Sequence, residues 1–136
     1  MALDKKIEDF GKALERLKEA YDRTIEQLDR EERSFFRDST IQRFEFTLEI
    51  CWKSIKSFLL VYEGIECRSP KGCIREFHAA GYISRSEVVS LLQMIDDRNL
   101  ASHTYHETLA DEIFGHIGSY LPLLEKVYKT VASSET

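Results

Sequence analysis

The residues with the greatest chemical potential lie together in one short segment, 96–106. This segment holds two carboxylates, a guanidinium, an amide, two hydroxyls, two imidazoles and a phenol. Arg98, His103 and Tyr105 give it the pattern Arg-x4-His-x-Tyr. An arginine stays charged and presents a fork of N–H donors that suits a phosphate. A histidine, with an ordinary pKa of about 6.5, can take up or release a proton near neutral pH.

Arg98 and His103 together are sufficient for one metal-free reaction, the cleavage of RNA by its own 2′-hydroxyl. The histidine would move protons, and the arginine would stabilise the extra negative charge on phosphorus. On an ideal helix the two side chains would point about 140° apart, so we expect the helix to loosen between them. The reaction needs a base and an acid, whereas one chain supplies one such histidine. We therefore expect two copies to meet at a shared cleft.

A simpler interpretation of the same segment involves no catalysis. Asp96, Asp97 and Arg98 could form ion pairs at a helix end, and His103 and His106 could be exposed loop residues. Other enzyme signatures are absent, among them H-E-x-x-H, a Glu-x-x-His pair, a glycine-rich phosphate loop and G-x-S-x-G. We therefore predict no metal and no cofactor. Spacing alone leaves both interpretations of the segment open.

The composition limits the classes of protein that the chain can form. Its 136 residues indicate one domain, and 43% apolar with 32% charged residues are typical of a globular protein. The net charge is −5, whereas a protein that binds nucleic acid over its whole surface is usually basic. Contact with RNA would therefore be local, and a basic protein partner is equally compatible with the charge.

The cysteines and the apolar runs point to the cytoplasm. Cys51, Cys67 and Cys73 are odd in number and form no C-x-x-C pair, so we expect reduced thiols, with Cys51 in the core. Cys67, Cys73 and His78 lack a fourth ligand at zinc-finger spacing. The longest apolar run, 58–62, falls far short of the ~20 residues that span a bilayer.

Apolar residues recur every three or four positions along the first half of the chain, which indicates long helices. We predict one helix over about 3–29, a polar connection over 30–33, and a second helix that ends at Glu63 before a left-handed cap at Gly64. A helix apolar on two sides is central or faces a partner, and we favour a homodimer contact. The second apolar set of this helix is Phe46, Ile50, Trp52, Leu59, Leu60 and Val61.

Local signals place the remaining helices. Ser69-Pro70 predicts the start of a short helix, and the capping box from Ser84 to Glu87 predicts the start of the next. A weaker cap at Thr108 begins the last helix, which Pro122 should bend. The fold class is therefore all-α: an antiparallel up-and-down four-helix bundle with one extra short helix. It forms a single domain over 1–131, followed by a frayed tail over 132–136.

With these features established, the chain resembles the HEPN superfamily. It is most similar to the small bacterial nucleotidyltransferase substrate-binding proteins, and the resemblance covers nearly the whole chain. The most specific match is Asp96-Asp97-Arg98-Asn99-Leu100-Ala101-Ser102-His103-Thr104-Tyr105. The other matching stretches are Phe36-Arg37-Asp38, Ile41-Gln42-Arg43-Phe44-Glu45-Phe46-Thr47, Trp52-Lys53 and Ser69-Pro70-Lys71.

The resemblance implies a homodimer with a minimal nucleotidyltransferase as its partner. It also implies a metal-independent ribonuclease toxin with Arg98 and His103 as catalytic residues, silenced when the partner adds AMP to Tyr105. The supporting residues would be Asp97, Asn99 and Ser102. The family name implies a different role, a non-catalytic subunit that presents substrate to the nucleotidyltransferase. The intact motif is compatible with the nuclease role.

Overall fold

The structure, a computed structural model, describes residues 2–103 and 105–133. The described part is helical and contains no strand, which confirms the all-α prediction. Thr104 of the motif and residues 134–136 of the predicted tail lie outside it. The helices are α1 (Ala2–Glu26), α2 (Arg30–Glu63), α3 (Pro70–Ala79), α4 (Arg85–Leu100) and α5 (Glu107–Ser133), with a 3₁₀ helix (Ala101–His103) between α4 and α5.

Helix α2 is the central element, because it contacts each of the other four α-helices. Its longest contact is with α1, whose apolar stripe packs along it. Buried hydroxyls add to this contact: Thr24 and Thr40 hydrogen-bond at 2.9 Å, and Thr47 donates to the Ala13 carbonyl at 3.2 Å. Burial of a large apolar side chain stabilises the fold by about 1.5–3 kcal/mol. The largest fully buried side chains are Phe10, Phe44, Phe58 and Phe77.

The predicted polar connection at 30–33 is wrong, because α2 already begins at Arg30. The Asp29 carboxylate accepts a hydrogen bond of 2.9 Å from the backbone N–H of Glu32, which caps the helix. Acidic residues in a first turn are also favoured by the helix dipole. Helix α1 therefore ends at Glu26, short of the predicted Asp29.

The other helix boundaries follow their local signals. Gly64 caps α2 with a φ of 66°, the left-handed region that favours glycine. Ser69 and the capping box from Ser84 to Glu87 open α3 and α4 as predicted. Helix α5 begins at Glu107, one residue before the expected cap at Thr108, and continues through Pro122.

The second apolar set of α2 is divided between the core and the surface. Trp52 and Leu59 are buried and Ile50 is half-buried, so these residues belong to the bundle. Phe46, Leu60 and Val61 are each about half exposed. Phe35, nearer the start of the helix, is also exposed. One side of α2 therefore keeps an apolar surface in contact with solvent.

The expectation of reduced thiols is wrong for two of the three cysteines. Cys67 and Cys73 form a disulfide, since the α2–α3 connection brings their Cα atoms to 5.2 Å. Cys51 is free and fully buried in the core as expected, and burial raises its pKa to about 12. Among the described helices, none combines the length and apolar character that a membrane crossing requires.

Candidate functional site

The polar segment forms the corner between α4 and α5. Buried side chains of α4, including Leu91, Met94 and Ile95, fix the helix against the core. The α-helical geometry ends at Leu100 and continues as the 3₁₀ helix. The regular α-helical geometry therefore ends between Arg98 and His103, so the 140° separation of an ideal helix does not apply to this pair.

Asp97 anchors the corner from behind. Its side chain is 8% exposed, and its Oδ2 accepts a hydrogen bond of 2.5 Å from the Tyr120 hydroxyl. Nδ1 of His116 lies 2.9 Å from the same oxygen. Burial, followed by the hydrogen bond to Asp97, raises the pKa of Tyr120 well above its ordinary value, so the phenol remains a donor. The ring of Tyr120 stacks on Phe44 of α2, which ties Asp97 to the centre of the bundle.

Arg37 anchors the other side of the corner. Its buried guanidinium donates to Glu107 at 2.7 Å and to Asp111 at 3.0 Å, both on the first turns of α5. It also donates to Asp38 on its own helix. The hydrogen bond to Glu107 is the main cause that raises the pKa of Arg37, and the arginine in turn lowers the pKa of Glu107. The segment therefore lies between two fixed attachments.

Arg98 turns towards α2 rather than into solvent. Its guanidinium pairs with Glu49, which also accepts from Nε1 of Trp52 and pairs with Lys53, each at 3.1 Å. Burial opposes ionisation of Glu49, but the hydrogen bonds from Trp52 and Lys53 and the charge of Arg98 lower its pKa overall. Burial raises the pKa of Glu45, one turn away, and the charge of Arg98 opposes that shift. Arg98 is thus held by an ionised carboxylate.

His103 and Tyr105 lie on the outer rim of the corner. Both are exposed, Tyr105 by 75%, and their ring centroids are 6.1 Å apart. The ring of Tyr105 also packs against His106 at 4.4 Å. The two predicted supporting residues Asn99 and Ser102 are exposed as well.

The single chain does not join Arg98 and His103 directly. Both are described, and no hydrogen bond connects them. The structure places them on successive elements of one corner, Arg98 on α4 and His103 in the 3₁₀ helix. Among the described residues, no group of three His, Cys, Asp or Glu side chains is arranged to hold a metal ion.

Two residues that fix the corner were missed at the sequence level. His116 and Tyr120 are one turn apart on α5, and only the packing of α5 against α4 brings them to Asp97. Histidine and tyrosine four residues apart on a helix are a common pattern, so the sequence alone does not identify His116 and Tyr120 as partners of Asp97. The role of Arg37 also depends on a contact between residues 70 positions apart.

The fold is a bundle of four long helices and one short helix, with a polar corner between α4 and α5. This arrangement defines a class of small helical proteins. Residues 5–133 match the family described as nucleotidyltransferase substrate binding protein like, and the chain belongs to this family. This confirms the resemblance found in the sequence motifs. No curated protein matches the sequence closely enough to count as a relative.

Two solved structures resemble the chain over most of its length. A protein from Thermus thermophilus is 39% identical, with a TM-score of 0.81, over 90% of this chain and 98% of that chain. HI0074 from Haemophilus influenzae is 19% identical, with a TM-score of 0.66, over 96% of this chain and 97% of that chain. HI0074 is described as having the fold of a substrate binding domain of a nucleotidyltransferase, and at this identity it supports the fold alone.

Proposed function

We propose that this chain is the HEPN-type partner of a minimal nucleotidyltransferase and acts as a metal-independent endoribonuclease through Arg98 and His103. The observation that carries the proposal is the intact motif on one accessible corner, fixed from behind by Asp97 and Arg37. A rigid support of this kind is what a catalytic group needs, because small displacements of a reacting group are costly.

The reaction needs two copies of the chain. His103 of one copy accepts the proton of the RNA 2′-hydroxyl as the 2′-oxygen forms a bond to the adjacent phosphorus. The bond between phosphorus and the 5′-oxygen then breaks, and His103 of the second copy donates a proton to that oxygen. Arg98 stabilises the added negative charge on the phosphoryl oxygens. The products are a 2′,3′-cyclic phosphate and a 5′-hydroxyl.

Exposed apolar side chains around the corner support a symmetric dimer. Phe35 and Phe46 point within about 20° of each other around α2, and Leu100 is 45% exposed at the end of α4. Such a surface on a small protein is typical of an interaction site. Its position beside Arg98 would let a second copy bring its own histidine to the same groove.

The proposal is tested by incubating the purified chain with single-stranded RNA in the presence of EDTA. We expect cleavage with cyclic phosphate ends, and no cleavage at a position where the 2′-hydroxyl is replaced by hydrogen. His103→Ala should lower the rate by about 10²–10⁴-fold. His106→Ala removes a neighbouring exposed imidazole and serves as the control, with the rate retained. Equal loss in both variants, or cleavage that needs a divalent metal, would contradict the mechanism.

A second candidate is a non-catalytic substrate-binding subunit of a two-component nucleotidyltransferase. The family description favours it, and so does the pairing of Arg98 with Glu49, which leaves the arginine engaged in the isolated chain. In that case the purified chain would leave RNA intact yet form a stable complex with the nucleotidyltransferase. If the isolated chain cleaves RNA and the His103→Ala variant does not, the result supports the nuclease over the non-catalytic subunit.

A further inference from the structure

A basic cleft opens on the side of α2 next to the candidate site. It has a volume of about 650 Å³ and lies between α1, α2 and the connection to α3. Its cationic lining comes from Lys6, Lys53, Lys56 and Arg68. Trp52, Leu60 and Ile65 supply apolar lining.

The charge of this cleft is opposite to that of the whole chain. Four cations line it, whereas Glu66 is the single carboxylate among its described lining residues and the chain carries a net charge of −5. Lys56 and Arg68 are exposed and form no ion pair with any described residue. Such a local concentration of positive charge attracts a polyanion.

Two of the cleft's cations are held in place by the protein. Nζ of Lys6 donates to the hydroxyl of Ser57 at 2.8 Å, and Nζ of Lys53 lies 3.1 Å from Glu49. The cleft therefore has an ordered wall, with the exposed charges of Lys56 and Arg68 at its rim. Leu60 and Ile65 place aliphatic surface between these charges, so a base can bury part of its apolar face there while phosphates meet the cations.

The cleft continues into the candidate site through Glu49. One oxygen of this carboxylate accepts from Nε1 of Trp52 in the cleft wall and also pairs with Arg98, while the other oxygen meets Lys53. Lys53 and Lys56 follow Glu49 at successive helical turns of α2, about 5.4 Å each. A flexible chain with regularly spaced negative charges could contact Lys56, Lys53 and Arg98 in turn.

We propose that the basic cleft binds the phosphates of single-stranded RNA and leads the strand to Arg98. This inference rests on the proposed nuclease function, for which it supplies the substrate-binding surface. Single-stranded RNA fits better than an acidic protein surface, because the cleft is concave and combines cations with apolar surface in one wall.

The experiment measures binding of a short fluorescein-labelled oligouridine by anisotropy in the His103→Ala background, which prevents cleavage. Lys56→Ala with Arg68→Ala removes two phosphate contacts, and each contact contributes about 0.7 to the slope of log affinity against log salt. We therefore expect binding to weaken roughly 60-fold at about 50 mM salt and roughly 10-fold at about 200 mM salt. Arg16→Ala with Lys129→Ala makes the same charge change on exposed residues outside the cleft and should leave binding unchanged.

Several results separate this inference from the proposed function. If the parent chain does not cut RNA but oligouridine binding still depends on Lys56 and Arg68, the cleft is supported and the nuclease is not. If Lys56→Ala with Arg68→Ala binds oligouridine and cuts RNA as well as the parent chain does, the cleft proposal is overturned, while the proposed nuclease function is still supported. A double variant that keeps RNA binding but no longer binds the nucleotidyltransferase would assign the cleft to a protein partner and also overturn the proposal. Circular dichroism checks that each variant is folded.

Discussion

Asp97 and Arg98 are neighbours in the sequence, but their side chains leave α4 about 100° apart and have different partners. Asp97 turns inward to Tyr120 and His116, whereas Arg98 turns sideways to Glu49. The first contact fixes the helix end, and the second holds the half-buried guanidinium against α2. Asp97 is therefore a positioning residue rather than one that would touch RNA.

The hydrogen bond from Tyr120 to Asp97 predicts a pH-dependent contribution to stability. Tyr120→Phe should lower the free energy of unfolding by about 2 kcal/mol at neutral pH, because it removes a buried bond to a charged group. The folded-state pKa of Tyr120 is raised, so this contribution is complete below the unfolded pKa of about 10 and is lost as the pH rises above it. Urea titrations should show the gap between parent and variant shrinking by about 1 kcal/mol from about pH 9 to about pH 11.

The matched control for this prediction is Tyr105→Phe, which changes a phenol that is 75% exposed. Its effect on stability should stay within about 0.5 kcal/mol at neutral pH. An equal loss of stability in the two variants would contradict the role assigned to Tyr120.

The exposure of Tyr105 predicts where the nucleotidyltransferase partner would act. We expect one AMP to be added to the chain after incubation with the partner, ATP and Mg²⁺, because the hydroxyl is accessible at the rim of the corner. Intact-mass spectrometry should show the added AMP in the parent and in Tyr62→Phe, another exposed tyrosine, but not in Tyr105→Phe. A full mass shift in Tyr105→Phe would place the acceptor elsewhere.

At the scale of elements, the corner depends on how α5 is attached at its start. Arg37→Met keeps most of the buried volume but removes the guanidinium that holds Glu107 and Asp111. Both carboxylates are more than 70% exposed and would be rehydrated, so we expect a modest loss of about 1–2 kcal/mol. Hydrogen exchange should show faster opening of the first turns of α5.

Arg23→Met is the control for this element, because Arg23 pairs with Glu19 on an exposed face of α1. It should change the stability by no more than about 0.5 kcal/mol and leave exchange in α5 unaltered. If Arg37→Met also leaves exchange in α5 unaltered, Arg37 does not anchor the corner.

The helix starts that the sequence predicted are those with a complete local signal. Ser69 and the Ser84–Glu87 box satisfy backbone donors within four residues, so their pattern alone specifies the structure. The start of α2 was missed because a run of four charged residues resembles a solvated loop unless Asp29 is recognised as the cap. The disulfide was missed because it depends on the path of the α2–α3 connection in space, which sequence spacing does not give.

At the scale of the molecule, the exposed apolar side of α2 predicts self-association. Light scattering at micromolar concentration should give twice the 15.9 kDa mass of one chain. Phe46→Glu should shift the protein towards the monomer, because it places a charge in the apolar contact. Val89→Glu changes a residue that is similarly exposed and about 180° from Arg98 around α4, so it should preserve the dimer. If the parent chain is monomeric, the proposal that two copies form a shared active-site cleft is contradicted.

The candidate site was predictable as a set of residues but not as an arrangement. Arg98, His103 and Tyr105 share a motif that can be read directly along the chain. Glu49 and His116 enter through packing between helices that are distant in sequence, and the sequence does not encode such contacts in any local pattern.

The pairing of Arg98 with Glu49 means that the protein carries its own competitor for the arginine. The pKa of Glu49 is lowered and its carboxylate pairs with Arg98, so under the proposed function a phosphate would have to displace Glu49 or share the guanidinium with it. A single inorganic phosphate gains little from that exchange, whereas an anion that also engages Lys53 and Lys56 is compensated by the additional contacts. In the proposed nuclease, this internal carboxylate would favour polyanions over the small anions of the surrounding solution.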